Sequence, residues 1–166
     1  MFCRKFKKSI FLNKIKLKDV NLVIFGPNPS ERMQGQINYG GQFSPEELPR
    51  HLHQAFGLVW DGDSIDTCSG KFGEYLKIND PHKLSLYLSS GIPVLIWQEA
   101  ALAEFVKLHQ IGIEIKSLTE LEDVFNGLRN DEYSLMKHNA IKIGKKMREG
   151  YFLKTALLNL MNKLGS

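Results

Sequence analysis

His82 and Lys83 stand together in Asn79-Asp80-Pro81-His82-Lys83-Leu84-Ser85-Leu86-Tyr87-Leu88-Ser89-Ser90-Gly91-Ile92-Pro93-Val94-Leu95-Ile96-Trp97. The residue types in this stretch read as loop, helix, glycine stop and buried strand. Pro81 fits the first helical position, where its missing N–H costs nothing, and Gly91 can take the left-handed conformation that ends a helix. Pro93 opens an apolar run of strand length. The histidine and lysine therefore fall in the first turn of a helix, beside backbone N–H groups that have no helical acceptor. That combination suits an anion. For His82, contact with an anion and a local cap are equal alternatives. Asn79 reads first as a cap for the same helix and second as a partner for a hydroxyl of the ligand.

Three more groups have residue types suited to chemistry. In Tyr39-Gly40-Gly41, small residues would let a flat base approach the backbone while the phenol ring stacks on it. The ordinary alternative is a core aromatic. Ala100 and Ala101 follow the most apolar run in the chain, where small side chains at a helix start would let phosphate oxygens reach backbone N–H groups. Alanine is also simply the best helix former. Asp61-Gly62-Asp63 resembles a fragment of a calcium loop, but the remaining ligands do not follow at that spacing, so the reading is a tight acidic turn with no metal.

Pro-x-Lys-x-x-x-Tyr-Leu-x-x-Gly-x-Pro-Val, beginning at Pro81, resembles the donor-binding half of glycosyltransferases of the GT-B architecture. Phe56-Gly57-Leu58-Val59-Trp60-Asp61-Gly62-Asp63-Ser64 narrows the resemblance. With Pro81 to Leu88 it is similar to a bacterial group that includes galactofuranosyltransferases and adhesin-modifying glucosyltransferases. The resemblance runs from about Lys8 to the C-terminus. It implies a donor domain that binds a nucleotide sugar, with uridine diphosphate as the expected carrier. The transfer would place a hexose on a saccharide or glycoprotein acceptor in cell-surface glycan synthesis.

Under that resemblance Lys83 is the diphosphate contact, stabilising the charge that builds as the sugar leaves. Tyr39 and Gly40 would meet the nucleobase. Asp61 and Asp63 would face the sugar, and Asn79, His82, Ala100 and Ala101 complete the expected donor contacts. Many GT-B enzymes carry a ribose-binding glutamate where this chain has Leu86, which cannot accept a hydrogen bond. Met1 to Phe6 lacks the glycine of the group's opening strand and turn, so the first strand is expected to be missing or altered. Members of the group also carry an N-terminal acceptor-binding domain that 166 residues do not accommodate. The catalytic base is expected there, and no catalytic residue is assigned here.

One domain with a substantial core is what 166 residues and 43% hydrophobic content support. Residues 1–18 read as a basic arm and a truncated domain start, and residues 19–166 as a single Rossmann-like α/β domain with a parallel sheet, flanking helices and helices at the C-terminus. Arg4, Lys5, Lys7, Lys8, Lys14, Lys16 and Lys18 all precede the first acid, Asp19, within a net charge of +4. The bland reading is a solvated terminus; peripheral contact with anionic lipid is the alternative, and no nucleic-acid partner is expected. Cys3 and Cys68 are too few for a metal site or disulfide framework, which makes a reduced, cytoplasmic setting the default. No cofactor is expected. A homo-oligomer and a separate acceptor-domain chain are both open as partners. Two other functions compete with sugar transfer: a non-catalytic nucleotide-binding module and an inactive, truncated remnant.

The elements that must position these residues follow from punctuation and period. Val20 to Phe25 reads as a strand, Gly35 to Phe43 as a glycine-rich loop with a short strand, and Gly57 to Trp60 as another strand. Ile10 to Leu17 reads as a short helix. Ser44-Pro45-Glu46-Glu47 carries a capping-box signature for a helix to Gln54. Asp61 to Ile78 reads as one long loop. A helix from Glu99 to His109, a strand over Gly112 to Ile115 and a helix after Ser117 come next, with helices from Asp131 to Leu164 broken near Gly150.

Overall fold

Among the described residues five short strands form, four of them mainly apolar, and each is parallel to its neighbour. In the computed structural model, residues 10–27 and 36–164 are described. The expectations for Met1 to Phe6, for Cys3 and for Arg4, Lys5, Lys7 and Lys8 lie outside them. Strand β1 (Leu22–Phe25) pairs with β2 (Ile37–Gly41). A second ladder has the order β3 (Gly57–Val59), β4 (Val94–Trp97), β5 (Gly112–Ile115), with Leu58 beside Leu95 and Leu95 beside Ile113. Parallel strands need crossover connections, and helices supply them across the β3–β4–β5 ladder. The result is a Rossmann-like α/β fold.

The helices are α1 (Gly70–Tyr75), α2 (His82–Ser89), α3 (Ala103–Leu108), α4 (Leu121–Gly127), α5 (Asn130–Arg148) and α6 (Tyr151–Leu164). Strand β4 is buried along its whole length, as a strand covered on both faces should be. Trp60, Trp97, Tyr87 and Leu88 are among the largest fully buried side chains. Phe11, Leu12 and Ile15 join the same core, so the described part of the basic segment packs into the domain. Lys18 and Asp19 are then fixed by backbone N–H donation to the Glu122 carboxylate, at 2.7 and 3.3 Å.

Helix α2 is held from both sides. Gly57 of β3 leaves room for the Tyr87 ring, since a Cβ there would lie 2.2 Å from it. Gly144 of α5 brings that helix so close that a Cβ would lie 2.1 Å from the Leu88 carbonyl oxygen. Arg148 donates to the Ser89 carbonyl at the C-terminal end of α2. Gly91 ends α2 with φ +69°, and Gly150 divides α5 from α6 with the same value.

Five expectations change. Tyr39-Gly40-Gly41 is strand, not loop: Tyr39 is in register with Ile24, and Gly40 has no side chain because the Phe25 ring occupies its space. The presumed loop after Asp61 contains α1, held by tertiary contact where the sequence has two glycines and no apolar period. The Ser44–Glu47 capping box forms, with both reciprocal bonds at 3.3 Å, yet only a 3₁₀ helix follows, Leu48–His51. Pro49 explains this by removing the N–H needed to propagate an α-helix. Helix α3 begins at Ala103, because Gln98 to Leu102 turn before it. Ile10–Asn13 is likewise a single 3₁₀ turn.

Candidate functional site

The C-terminal end of β3 and the N-terminal end of α2 meet at Lys83. Its ammonium donates to Asp61 Oδ1 at 2.7 Å and to the Trp60 carbonyl at 2.9 Å. Both side chains are sheltered, 13% and 15% exposed. An ammonium has three N–H donors, and these two bonds leave one for a further acceptor. Two residues singled out in the sequence, Asp61 and Lys83, thus form one unit. The position is the one at which open parallel sheets bind ligands, outside the carboxyl ends of the strands.

Other anticipated residues are arranged around this pair in different ways. His82 is exposed in the first turn of α2 and makes no hydrogen bond or ion pair among the described residues. Asn79 is half-buried before the helix, whose N-cap is Pro81 without a side-chain cap. Asp63 is exposed and accepts a 2.5 Å hydrogen bond from Ser69. That bond is the main reason its carboxyl sits below the usual range, with its own backbone N–H and Lys14 adding to the effect. Lys14 also donates to the Asp63 carbonyl at 2.7 Å. Asp63 therefore organises the β3–α1 loop.

Ala100 and Ala101 occupy the turn between β4 and α3. Their N–H groups already donate to the Trp97 and Leu76 carbonyls, at 3.0 and 2.9 Å. The second bond ties the end of α1 to the end of β4. Tyr39 lies on the other ladder, 43% exposed, with its hydroxyl donating to the Gly26 carbonyl at 2.8 Å. Gly40 beside it serves the packing of Phe25.

Lys77 and Glu99 are an addition the sequence reading did not identify. Lys77 reaches Glu74 at 3.1 Å and Glu99 at 3.3 Å, and lies over the Trp97 ring at 5.4 Å. The bonds to Glu74 and then Glu99 raise its pKa above the ordinary lysine value. A lysine paired across 22 residues has no local sequence signature. Cys68 is also new to the site: it is buried beside Asp61, and burial pushes its thiol up to about 12. Among the described residues, no three His, Cys, Asp or Glu side chains gather as a metal site requires.

Comparison with known proteins gives the arrangement its relatives. Residues 1–160 match the family model described as Glucosyltransferase 3-like, C-terminal domain. The chain is 39% identical over 147 residues to beta-1,6-galactofuranosyltransferase WbbI of Escherichia coli (strain K12), covering 87% of this chain and 44% of that protein. It is 30% identical over 139 residues to glucosyltransferase 3 of Streptococcus gordonii, covering 83% of this chain and 41% of that one. The chain spans less than half the length of these relatives, each of which is named for sugar transfer. By the extent of the family match, the chain belongs to the glucosyltransferase 3-like C-terminal domain family of glycosyltransferases.

Proposed function

We propose that the chain is the donor-binding half of a GT-B glycosyltransferase, holding a uridine diphosphate sugar at the ends of β3 and β4. The observation that carries the reading is the placement of Lys83: a sheltered ammonium in the first turn of α2, fixed by Asp61 and the Trp60 carbonyl, with a donor left over. A diphosphate oxygen would accept that remaining N–H. The α2 N-terminus adds its partial positive charge on the same side. As the bond between sugar and diphosphate breaks, negative charge grows on the leaving oxygen, and a fixed cation beside it lowers the barrier. Asp61 keeps Lys83 from swinging into solvent, at the cost of offsetting part of its charge.

His82 supplies a second polar group beside the diphosphate, and Asn79 lies close enough in sequence to meet the sugar. Tyr39 takes the pyrimidine on its exposed ring face. Ala100 and Ala101 shape the floor of the site with their side chains, since their N–H groups are engaged elsewhere. The acceptor, a saccharide or glycoprotein, and the base that activates its hydroxyl belong to the part of the relatives that this chain does not match. The isolated chain accordingly binds donor without transferring it.

The test is a titration with uridine diphosphate, followed by hydrolysis and transfer assays with a panel of uridine diphosphate hexoses. Binding without turnover supports the reading. Transfer by the isolated chain would show that the acceptor site is here, and a folded chain with no nucleotide binding would show a remnant.

A further inference from the structure

Glu99 stands two residues beyond the end of β4, outside the contacts that hold the Asp61–Lys83 pair. Its Oε2 meets the Lys77 ammonium at 3.3 Å, and its side chain is 50% exposed. Lys77 is fully committed to holding its neighbours. Besides Glu99 it reaches Glu74 Oε2 at 3.1 Å and lies 5.4 Å from the centre of the Trp97 ring. An ammonium has three donors and no acceptor, so two carboxylates and an aromatic face account for it. Glu99 is different. A carboxylate accepts at both oxygens, and among the described residues Lys77 engages Oε2 alone. The turn that carries Glu99 is also fixed, because the next two N–H groups, of Ala100 and Ala101, donate to the Trp97 and Leu76 carbonyls. An ion pair this exposed adds little stability; what it provides is a carboxylate of set position with an oxygen to spare.

We propose that Glu99 recognises the transferred sugar, accepting a hydrogen bond from one of its hydroxyls, and that Lys77 positions it for this. The role rests on the donor reading, and the order of strands at the mouth of the sheet supports it. Leu22 and Val23 of β1 line one cavity with Leu58 of β3, while β4 holds the other edge of β3. The strand ends therefore run β2, β1, β3, β4. A nucleotide sugar is laid out in the same linear sense, from base through ribose and diphosphate to sugar. With the base at Tyr39 of β2 and the diphosphate at Lys83 beside the end of β3, the sugar continues to the end of β4, where Glu99 stands. The chemistry agrees with the geometry. An ionised carboxylate only accepts hydrogen bonds and repels phosphate, so of the parts of such a donor it suits a hydroxyl-bearing, uncharged one. The small side chains of Ala100 and Ala101 add no bulk beside it.

The experiment is calorimetric titration of the wild type, Glu99→Ala, Lys77→Met and Lys77→Arg with uridine diphosphate and with uridine diphosphate glucose, galactose and galactofuranose. Uridine diphosphate is expected to bind all four proteins equally, which also shows that the variants are folded. At least one of the sugar nucleotides is expected to bind Glu99→Ala about tenfold more weakly than the wild type, as loss of a hydrogen bond to a charged group does. Lys77→Met should weaken the same donor by a smaller factor, and Lys77→Arg should restore it. An ion pair with only a structural part would alter stability and leave the ratio of sugar-nucleotide to uridine diphosphate affinity unmoved. Wild-type affinity of Glu99→Ala for all three sugar nucleotides, with uridine diphosphate still bound, overturns the role of Glu99. So does an equal loss for uridine diphosphate and the sugar nucleotides, which would put Glu99 at the nucleotide. A folded wild type that binds no uridine diphosphate overturns the donor reading itself, and this role with it.

Discussion

Asp61 and Lys83 are 22 residues apart in sequence and 2.7 Å apart in space, and the contact joins the end of β3 to the first turn of α2. The carboxylate fixes the ammonium, and the Trp60 carbonyl bonded to the same nitrogen fixes its direction. A lysine held in this way has already lost most of its rotamer freedom, so less is lost when it meets a ligand. The pair also has a structural part that can be measured apart from binding.

Removing one partner leaves the other sheltered and unpaired. Lys83→Met is expected to lower stability by roughly 1–3 kcal/mol, the cost of a buried polar group left without its bond. Adding Asp61→Asn should recover part of that loss. Urea unfolding of the two single variants and the double variant forms the cycle that measures the coupling. Simple additivity would mean that the contact is not energetically coupled.

Gly144→Ala tests how α2 is seated. Alanine gains about 1 kcal/mol in helix propensity, but its Cβ would lie 2.1 Å from the Leu88 carbonyl oxygen, which is backbone and cannot rotate away. A net loss of roughly 1–3 kcal/mol is expected from overpacking. Thermal unfolding checks the sign. Stabilisation would show that α5 and α2 are less closely packed than described.

Cys68 gives a pH dependence. Its thiol is held up to about 12 against an ordinary 9.0, chiefly by burial. The folded state therefore retains the proton that the unfolded state gives up. The stabilisation relative to the thiolate form is complete below about pH 9 and falls progressively as pH rises toward 12. Cys68→Ala should lessen the alkaline fall in stability, as read by urea unfolding across that range. In a Cys3→Ser background the native protein should also resist iodoacetamide at about pH 8, because thiolate and access are both lacking. Rapid labelling of the folded chain would contradict the burial.

Tyr39 separates ring from hydroxyl. Tyr39→Phe loses the bond to the Gly26 carbonyl but keeps the stacking face, so uridine diphosphate affinity should change little. Tyr39→Ala should weaken it by several-fold to about tenfold, as loss of one aromatic contact does. Calorimetric titration distinguishes the two. Equal affinity in the wild type and Tyr39→Ala would make this residue purely structural.

The loop, helix, glycine and strand from Asn79 to Trp97 were legible because each boundary carries local punctuation: Pro81, Gly91 and Pro93 act within a few residues. The break at Gly150 was legible for the same reason. Helix α1 was not, since Gly70 and Gly73 hide it and its support includes the close approach of Gly73 to the Cys68 backbone and the bond from Ala101, in the turn after β4, to Leu76. Within the site, Lys83 stood out from its place in the first helical turn. Its bond to Asp61 depends on β3 and α2 being brought together, which no local pattern encodes. The engagement of the Ala100 and Ala101 N–H groups is hidden in the same way, because carbonyl partners are set by tertiary structure. The Lys77–Glu99 contact likewise exists only once the end of α1 meets the end of β4.

Donor binding through Lys83 is the central claim, and calorimetric titration of uridine diphosphate into the folded wild type and Lys83→Met, with uridine as control, tests it most directly. The account predicts saturable binding to the wild type, at least about tenfold weaker binding to the variant, which corresponds to about 1.4 kcal/mol, and no difference between them for uridine. Equal affinity of both proteins for uridine diphosphate, or no saturable binding to the folded wild type, would contradict it.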